Sequence, residues 1–246
     1  MNAADDLYPA VEPVGDRALI LRFGDEVQPA IASRVQQFAA GLLARCPAGV
    51  RDIVPAFTTV TVHYEPTLVA GAGGSAYARL RLQLLARATP ATAGAETPAR
   101  VFEIPVCYGG EYGPDLDDVA RQCGMDAEEV VTRHMQSAHQ VYMLGFAPGF
   151  PFIGGLDPQL FTPRRATPRT QVPAGSVAIA REQTCIYTQQ SPGGWNLIGR
   201  TPVRLFDADA EPPCLLGPGD TIRFVSIHQQ RYEELLQARE HGAVAT

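Results

Sequence analysis

Residues Val141–Leu156 read VYMLGFAPGFPFIGGL: sixteen positions with no charge, four glycines, two prolines, three phenylalanines and one tyrosine. The first four residues alternate as a strand does. The glycines and prolines from Gly145 to Gly155 describe a loop leaving that strand toward the mouth of a barrel, its phenylalanines either plugging a core or walling a pocket. The surroundings favour a barrel. From Gln140 to Ile227 no helical periodicity appears, and short β-rich runs (VPAGSVAIA, TCIYT, WNLIGR, PVRLFD, DTIRFVSI) are punctuated by Gly and Pro, the spacing of a closed, mainly-β barrel.

Upstream, RVFEIPVCY reads as a strand. GPDLDDVARQCG reads as a helix, with Pro114 near its first turn, Asp115, Asp117 and Asp118 complementing the dipole, and Gly124 as its stop. DAEEVVTRHMQ starts a second helix with Asp126 as N-cap and Glu129 at capping-box spacing. HQQRYEELLQARE forms a terminal helix with a charged outer face.

The first ~90 residues are organised differently. RALILRFG reads as a strand, Pro29–Cys46 as an amphipathic helix, GVRDIVPAFTTVTVHYEP as two strands or one broken at Pro55, and Ser75–Ala88 as a second helix. This β-α-β-β-α order predicts an α+β sandwich with helices on one face of an antiparallel sheet. TPATAGAETPA lacks a periodic apolar face and reads as a connector. The expected organisation is a small α+β domain over 1–90, a linker over 91–99 and a barrel domain over 100–246.

Composition narrows the chemistry. The chain of 246 residues contains no lysine; all 20 basic residues are arginines. A Walker A loop, a pyridoxal Schiff base and a biotinyl or lipoyl attachment site each need a lysine, so none resides in this sequence. A net charge of −6 argues against a nonspecific nucleic-acid binder. Between Gly145 and Leu205, however, six arginines face two acids. That local excess either guides an anionic small molecule or balances acids elsewhere. Five scattered cysteines without a C-x-x-C pair read as free thiols in a reducing compartment. With no apolar run of spanning length and no secretory h-region at the N-terminus, the expected location is the cytoplasm, away from membranes.

No metal site is expected. His134 and His139 lie five apart, about 140° around a common helix axis, unlike i, i+4 ligands. Ser176 in AGSVA lacks the second glycine of a nucleophile elbow, and Ser191 in QSPGGW suits a turn. More informative are three segments that couple glycine with aromatics or arginine: GFAPGFPFIGG, PRRATPRTQVPAGSVAIA and SPGGWNLIGRTP. Glycine lets backbone approach a ligand, aromatics wall a pocket and arginine forks onto carboxylate or phosphate. Each alone reads equally as a strand-connecting turn; together they point to a site. Its candidate substrate-binding residues are Gly145, Phe146, Pro148, Gly149, Phe150, Arg164, Ser176, Gln183, Ser191, Gly193, Gly194 and Trp195.

GPDLDDVA, VYMLGFAPGFPFIGGLD, VPAGSVAIA, SPGGWNLIGRTP, LFD, GPGD and RFVSI follow one another in an order that resembles the 5-oxoprolinase B-subunit family (PxpB), also called KipI or allophanate hydrolase subunit 1. The resemblance implies a small N-terminal α/β domain and a cyclophilin-like barrel, with two partner proteins, one PxpC-like (KipA-like) and one PxpA-like. The implied reaction is ATP-dependent opening of 5-oxo-L-proline to L-glutamate. One branch of the family is named as an inhibitor of a sensor histidine kinase, and related modules form the carboxyltransferase half of urea carboxylase. Those are the alternative readings. Phosphorylating the lactam oxygen would activate an otherwise resonance-stabilised amide, and would need positive charge and a carboxylate clamp. Arg164, Arg169 and Arg200 are the candidates, with Arg169, Arg200 and His134 as catalytic residues. The family's histidine falls on His134, as acid or base or as an orienter of a loop. With no lysine, any ATP must meet arginines, backbone amides or a partner protein, and any biotin must arrive on another chain.

Overall fold

The computed structural model describes residues 9–69, 71, 73–88 and 100–240; the linker expected at 91–99 lies outside them. The chain divides into two compact units, Met1–Pro98 and Ala99–Thr246.

In the first unit the order is β1 (Ala10–Val14), β2 (Ala18–Arg22), α1 (Pro29–Ala44), β3 (Val50–Pro55), β4 (Thr59–Tyr64) and α2 (Ala76–Arg87). The strands form an antiparallel sheet in the order β1-β2-β4-β3. Alternate residues Leu19, Leu21, Val60 and Val62 turn to one face and meet Val35, Phe38 and Leu42 of α1 and Leu80 and Leu84 of α2 in a single core. Ser75 caps α2, its hydroxyl accepting from the Ala78 amide. Strand β1 escaped the sequence reading. AVEPV is largely exposed and holds a proline, which only an edge strand tolerates.

The second unit runs β5 (Val101–Tyr108), α3 (Leu116–Cys123), α4 (Ala127–Gln136), β6 (His139–Leu144), β7 (Pro151–Gly154), β8 (Arg169–Val172), β9 (Ser176–Ala180), β10 (Gln183–Ile186), β11 (Ser191–Gly193), β12 (Asn196–Arg200), β13 (Thr221–Ser226) and α5 (Gln229–Glu240). Seven strands close a barrel in the order β10-β7-β6-β13-β5-β12-β9; β8 and β11 pair separately as a ribbon. All neighbours in the barrel are antiparallel except β13 and β5. Asp126 caps α4 by accepting from the Glu129 amide, and Gly124 ends α3 in the left-handed region.

Two readings are corrected. The run Gly145–Gly155 is not all loop: Pro151–Gly154 returns as β7 against β6, and Pro151 sits at the strand's first position, where its missing N–H costs no ladder bond. PVRLFD forms no strand, contributing only the bridge of Phe206 with Cys214.

Side-chain alternation creates two apolar layers from the same strands. Val177 and Ile179 of β9, Ile153 of β7 and Ile186 of β10 fill the interior with Val141 and Phe224, and Val119 and Val130 of α3 and α4 pack on the same cluster. Ala178, Ala180 and Cys185 face outward, into a second cluster with Phe150, Val172, Tyr187 and Trp195. Every residue of β9 is therefore buried. The small outward residues leave room for large aromatics. Among the described residues no helix is long and apolar enough to cross a membrane.

Candidate binding site

The aromatics of the outer layer do not fill it. They enclose an open cavity of about 140 Å³ walled by Phe146, Phe150, Phe152, Tyr187 and Trp195, floored by Pro192, Gly193 and Gly194, and closed at one side by Arg164. The cavity lies on the barrel's outer wall, beside the β8–β11 ribbon, and not at the barrel mouth where the sequence suggested it.

Local sequence explains each wall. The β6–β7 loop carries Phe146 and Phe150, whose rings meet edge to face at 5.1 Å. Gly149 turns that loop with φ +67°, and a Cβ there would press on Phe206. Phe146 also holds a positive φ, 68°, and is 67% exposed. A bulky residue in this region is strained, and such strain is retained where the surrounding structure over-determines it, often at a binding site. Tyr187 stands perpendicular to Phe150 at 5.2 Å. Its hydroxyl accepts from the Trp195 amide, and burial pushes its pKa up, so it remains a neutral phenol. A Cβ on Gly193 would overlap that hydroxyl. Gly193→Ala is therefore expected to push Tyr187 out of the outer layer, costing about 1–3 kcal/mol and changing the emission of Trp195, the single tryptophan. Urea unfolding followed by tryptophan fluorescence measures both.

The guanidinium of Arg164 lies over the Trp195 ring, 5.7 Å from its centroid. Among the described residues it has no carboxylate partner. Two nearby arginines do. Asp115, 1% exposed, receives Arg169 through both Nη atoms at 2.7 and 2.8 Å, Arg165 through Nη1, and the Leu197 amide at 2.8 Å. Three guanidiniums around one carboxylate leave this corner with a surplus of two positive charges.

The predicted residues thus separate. Phe146, Phe150, Arg164, Gly193, Gly194 and Trp195 line the cavity; Gly145, Pro148 and Gly149 belong to the loop that presents two of them. Arg169 is committed to Asp115. Arg200 ends β12, five residues and about 16 Å of strand from Trp195, against the Tyr232 hydroxyl of α5. Ser176 is fully buried in β9 opposite Arg200, Gln183 stands at the β9–β10 turn opposite Ala180, and Ser191 pairs with Val172 in the ribbon rather than forming a turn. None of these lines the cavity.

His134 is corrected as an acid or base acting on substrate, because its ring is completely buried inside the barrel. Nε2 lies 3.0 Å from the Thr184 hydroxyl, and Nδ1 lies 2.8 Å from the Tyr108 hydroxyl. Thr184 donates to the Ala178 carbonyl, so its oxygen must accept from His134; the proton sits on Nε2, and Tyr108 donates to Nδ1. His139 donates from Nε2 to the His134 carbonyl at 2.7 Å. The two rings lie 4.8 Å apart, brought together because His139 opens β6 instead of continuing α4. Among the described residues no group of three or more His, Cys, Asp or Glu gathers as a metal cluster.

Sequence reading missed Phe152, Tyr187 and Pro192 in the cavity and Asp115 beside it. The alternation of Tyr187 with Cys185 in TCIYT was the available signal for Tyr187. Asp115 looked like one more acid in the first turn of a helix.

Residues 9–216 match the family model described as "Carboxyltransferase domain, subdomain C and D". The chain belongs to this family. Among curated members of the carboxyltransferase-domain family, the 5-oxoprolinase B-subunit of Bacillus subtilis is 41% identical over 227 residues, covering 90% of this chain and 94% of that protein. The 5-oxoprolinase B-subunit of Escherichia coli O157:H7 is 40% identical over 212 residues, covering 86% and 93%. Among solved structures, TTHA0988 superposes with a TM-score of 0.74 at 40% identity over 86% of this chain, which spans 40% of that longer chain.

Proposed function

We propose that this chain is the B-subunit of an ATP-dependent 5-oxoprolinase complex, acting with a PxpC-like and a PxpA-like partner to open 5-oxo-L-proline to L-glutamate, and that the aromatic cavity holds the substrate. The relatives named as 5-oxoprolinase B-subunits support the reaction. The observation that carries the site is Arg164, the cavity's guanidinium without a carboxylate partner among the described residues, set against aromatic walls.

The fit is one of size and charge. A cavity of about 150 Å³ accepts a benzene ring, and 5-oxoproline is a five-membered ring bearing one carboxylate. The aromatic walls take the ring's C–H faces, and Arg164 takes the carboxylate through two parallel N–H···O bonds. Trp195 beneath the guanidinium restricts its rotamers, so little ordering remains to be done on binding. In the overall reaction water's oxygen bonds to the lactam carbonyl carbon, the ring C–N bond breaks, and the nitrogen leaves as the amine of glutamate. An adenine nucleotide with its triphosphate does not fit a cavity of this size, so ATP belongs to another surface of the complex. The exposed Phe146 stands at the lip where a partner protein can complete the enclosure.

With this chain assembled with its partner proteins, Arg164→Ala is expected to raise KM for 5-oxoproline about tenfold or more, as the loss of a charge-assisted pair of bonds implies. Arg164→Lys should recover part of it. Glutamate release measured across substrate concentrations decides the matter, and an unchanged KM in Arg164→Ala removes the cavity from consideration. A second reading, a carboxyltransferase-type protein acting on a urea-related substrate, draws on the family description; it would replace the first if the complex leaves 5-oxoproline intact and consumes allophanate or urea instead.

A further inference from the structure

Arg164 lies in a loop, 161–168, that has no regular secondary structure apart from one bridge at Thr162, yet it must hold a guanidinium still beside Trp195. Its restraints are unusually concentrated. The Asn196 side-chain amide donates to the Pro163 carbonyl at 2.9 Å, and the Arg165 amide donates to the Gly194 carbonyl at 2.8 Å. Just after Arg164 come Arg165 and, at the start of β8, Arg169, both of which reach back to Asp115.

Asp115 precedes α3 but does not cap it; its side chain makes no bond to the helix's first turn. Each carboxylate oxygen instead receives two donors, Oδ1 from Arg165 and Arg169 and Oδ2 from Arg169 and the Leu197 amide. An ionised carboxylate offers about four lone-pair sites, so all are taken. The Asp115 amide also donates to the Leu197 carbonyl at 2.9 Å, locking the segment to the strand that begins just after Trp195. A buried carboxylate that surrenders its whole hydrogen-bonding capacity to three points around one cavity fixes those points relative to each other.

We infer that Asp115 is a positioning residue for the cavity: it withdraws Arg165 and Arg169 from the ligand, neutralises one of their charges, and leaves Arg164 as the single guanidinium aimed at a monoanion. Without it, three arginines would compete for the same space, and the loop bearing Arg164 would lose its anchor. The consequence for ligand choice is selectivity for one carboxylate over dianions. This inference rests on the cavity being the substrate site.

The test uses the full chain and its assembled complex, with 5-oxo-L-proline as the probe. Trp195 reports the cavity independently of turnover. Asp115→Asn keeps the shape and one acceptor oxygen but removes the charge; Arg169→Lys keeps the charge but removes the two-pronged contact. In both, acrylamide quenching of Trp195 is expected to rise at least twofold, and KM for 5-oxoproline at least fivefold, with a smaller change in kcat. Glutarate, a dianion of similar length, should inhibit the Asp115→Asn complex more strongly than the wild type. Wild-type quenching, KM and inhibition in either folded variant overturn the inference. If Asp115→Asn does not fold, Arg169→Lys decides it alone. A complex inactive toward 5-oxoproline, or an Arg164→Ala complex with unchanged KM, defeats the substrate assignment, whereas wild-type Trp195 quenching in Arg169→Lys defeats the positioning role.

Discussion

His134→Ala is expected to destabilise the barrel unit by about 4 kcal/mol, the upper range for truncating a large buried side chain. Two losses combine. The ring is completely buried and packs on Phe224 at a centroid distance of 4.6 Å, so its removal leaves a void where contacts were made on several sides. It also strands two polar groups, since the Tyr108 hydroxyl loses its acceptor and the Thr184 hydroxyl loses its donor in the barrel interior. Tyr108→Phe separates these losses by removing only one bond, and should cost about 1–2 kcal/mol. Urea unfolding of both variants, followed by far-UV circular dichroism, measures the difference. Equal stability in His134→Ala and wild type would show that the ring is not a structural node. The tautomer is checked separately: the proton on Nε2 predicts an unprotonated ¹⁵N shift at Nδ1.

This role was hidden in the sequence for a definite reason. A histidine beside a Gly- and Phe-rich run invites a catalytic reading, and only the turn from α4 into β6 shows that His134 and His139 face the barrel interior together. The barrel itself was legible because its strands are short, spaced by Gly and Pro, and free of helical periodicity. So were the caps at Ser75 and Asp126, which are local signals. What sequence could not carry was the pairing of elements. The cavity's aromatics come from three separate segments, and its location on the outer wall follows from Ala178 and Ala180 pointing outward while Val177 and Ile179 point inward. Arginine roles were equally non-local. Arg164, Arg169 and Arg200 looked equivalent until Asp115, roughly fifty residues upstream of two of them, claimed one, and Tyr232 of α5 came to lie against another.

Below neutrality the barrel should lose stability steeply. Burial, and then the neighbouring His139, hold His134 well below the usual histidine range, and burial lowers His139 to about 4. Among the described residues neither ring has a carboxylate partner to favour its cation. The rings are therefore neutral in the folded barrel at pH 5, while the unfolded chain binds a proton on each below about 6.5. Because the unfolded state holds more protons, stability is fully present above about pH 6.5 and falls as pH drops toward the folded pKa. Each group contributes a slope of about 1.4 kcal/mol per pH unit, so His139 alone accounts for roughly 3 kcal/mol between pH 6.5 and 4. His134 adds to this in the same direction. Chemical denaturation at pH 7, 6 and 5 is expected to show close to two protons taken up on unfolding of this unit. His139→Gln can keep an amide donor to the His134 carbonyl while removing one titrating group, and should lower that number by about one. A slope that is the same in His139→Gln and in the wild type would mean that other groups govern the acid sensitivity.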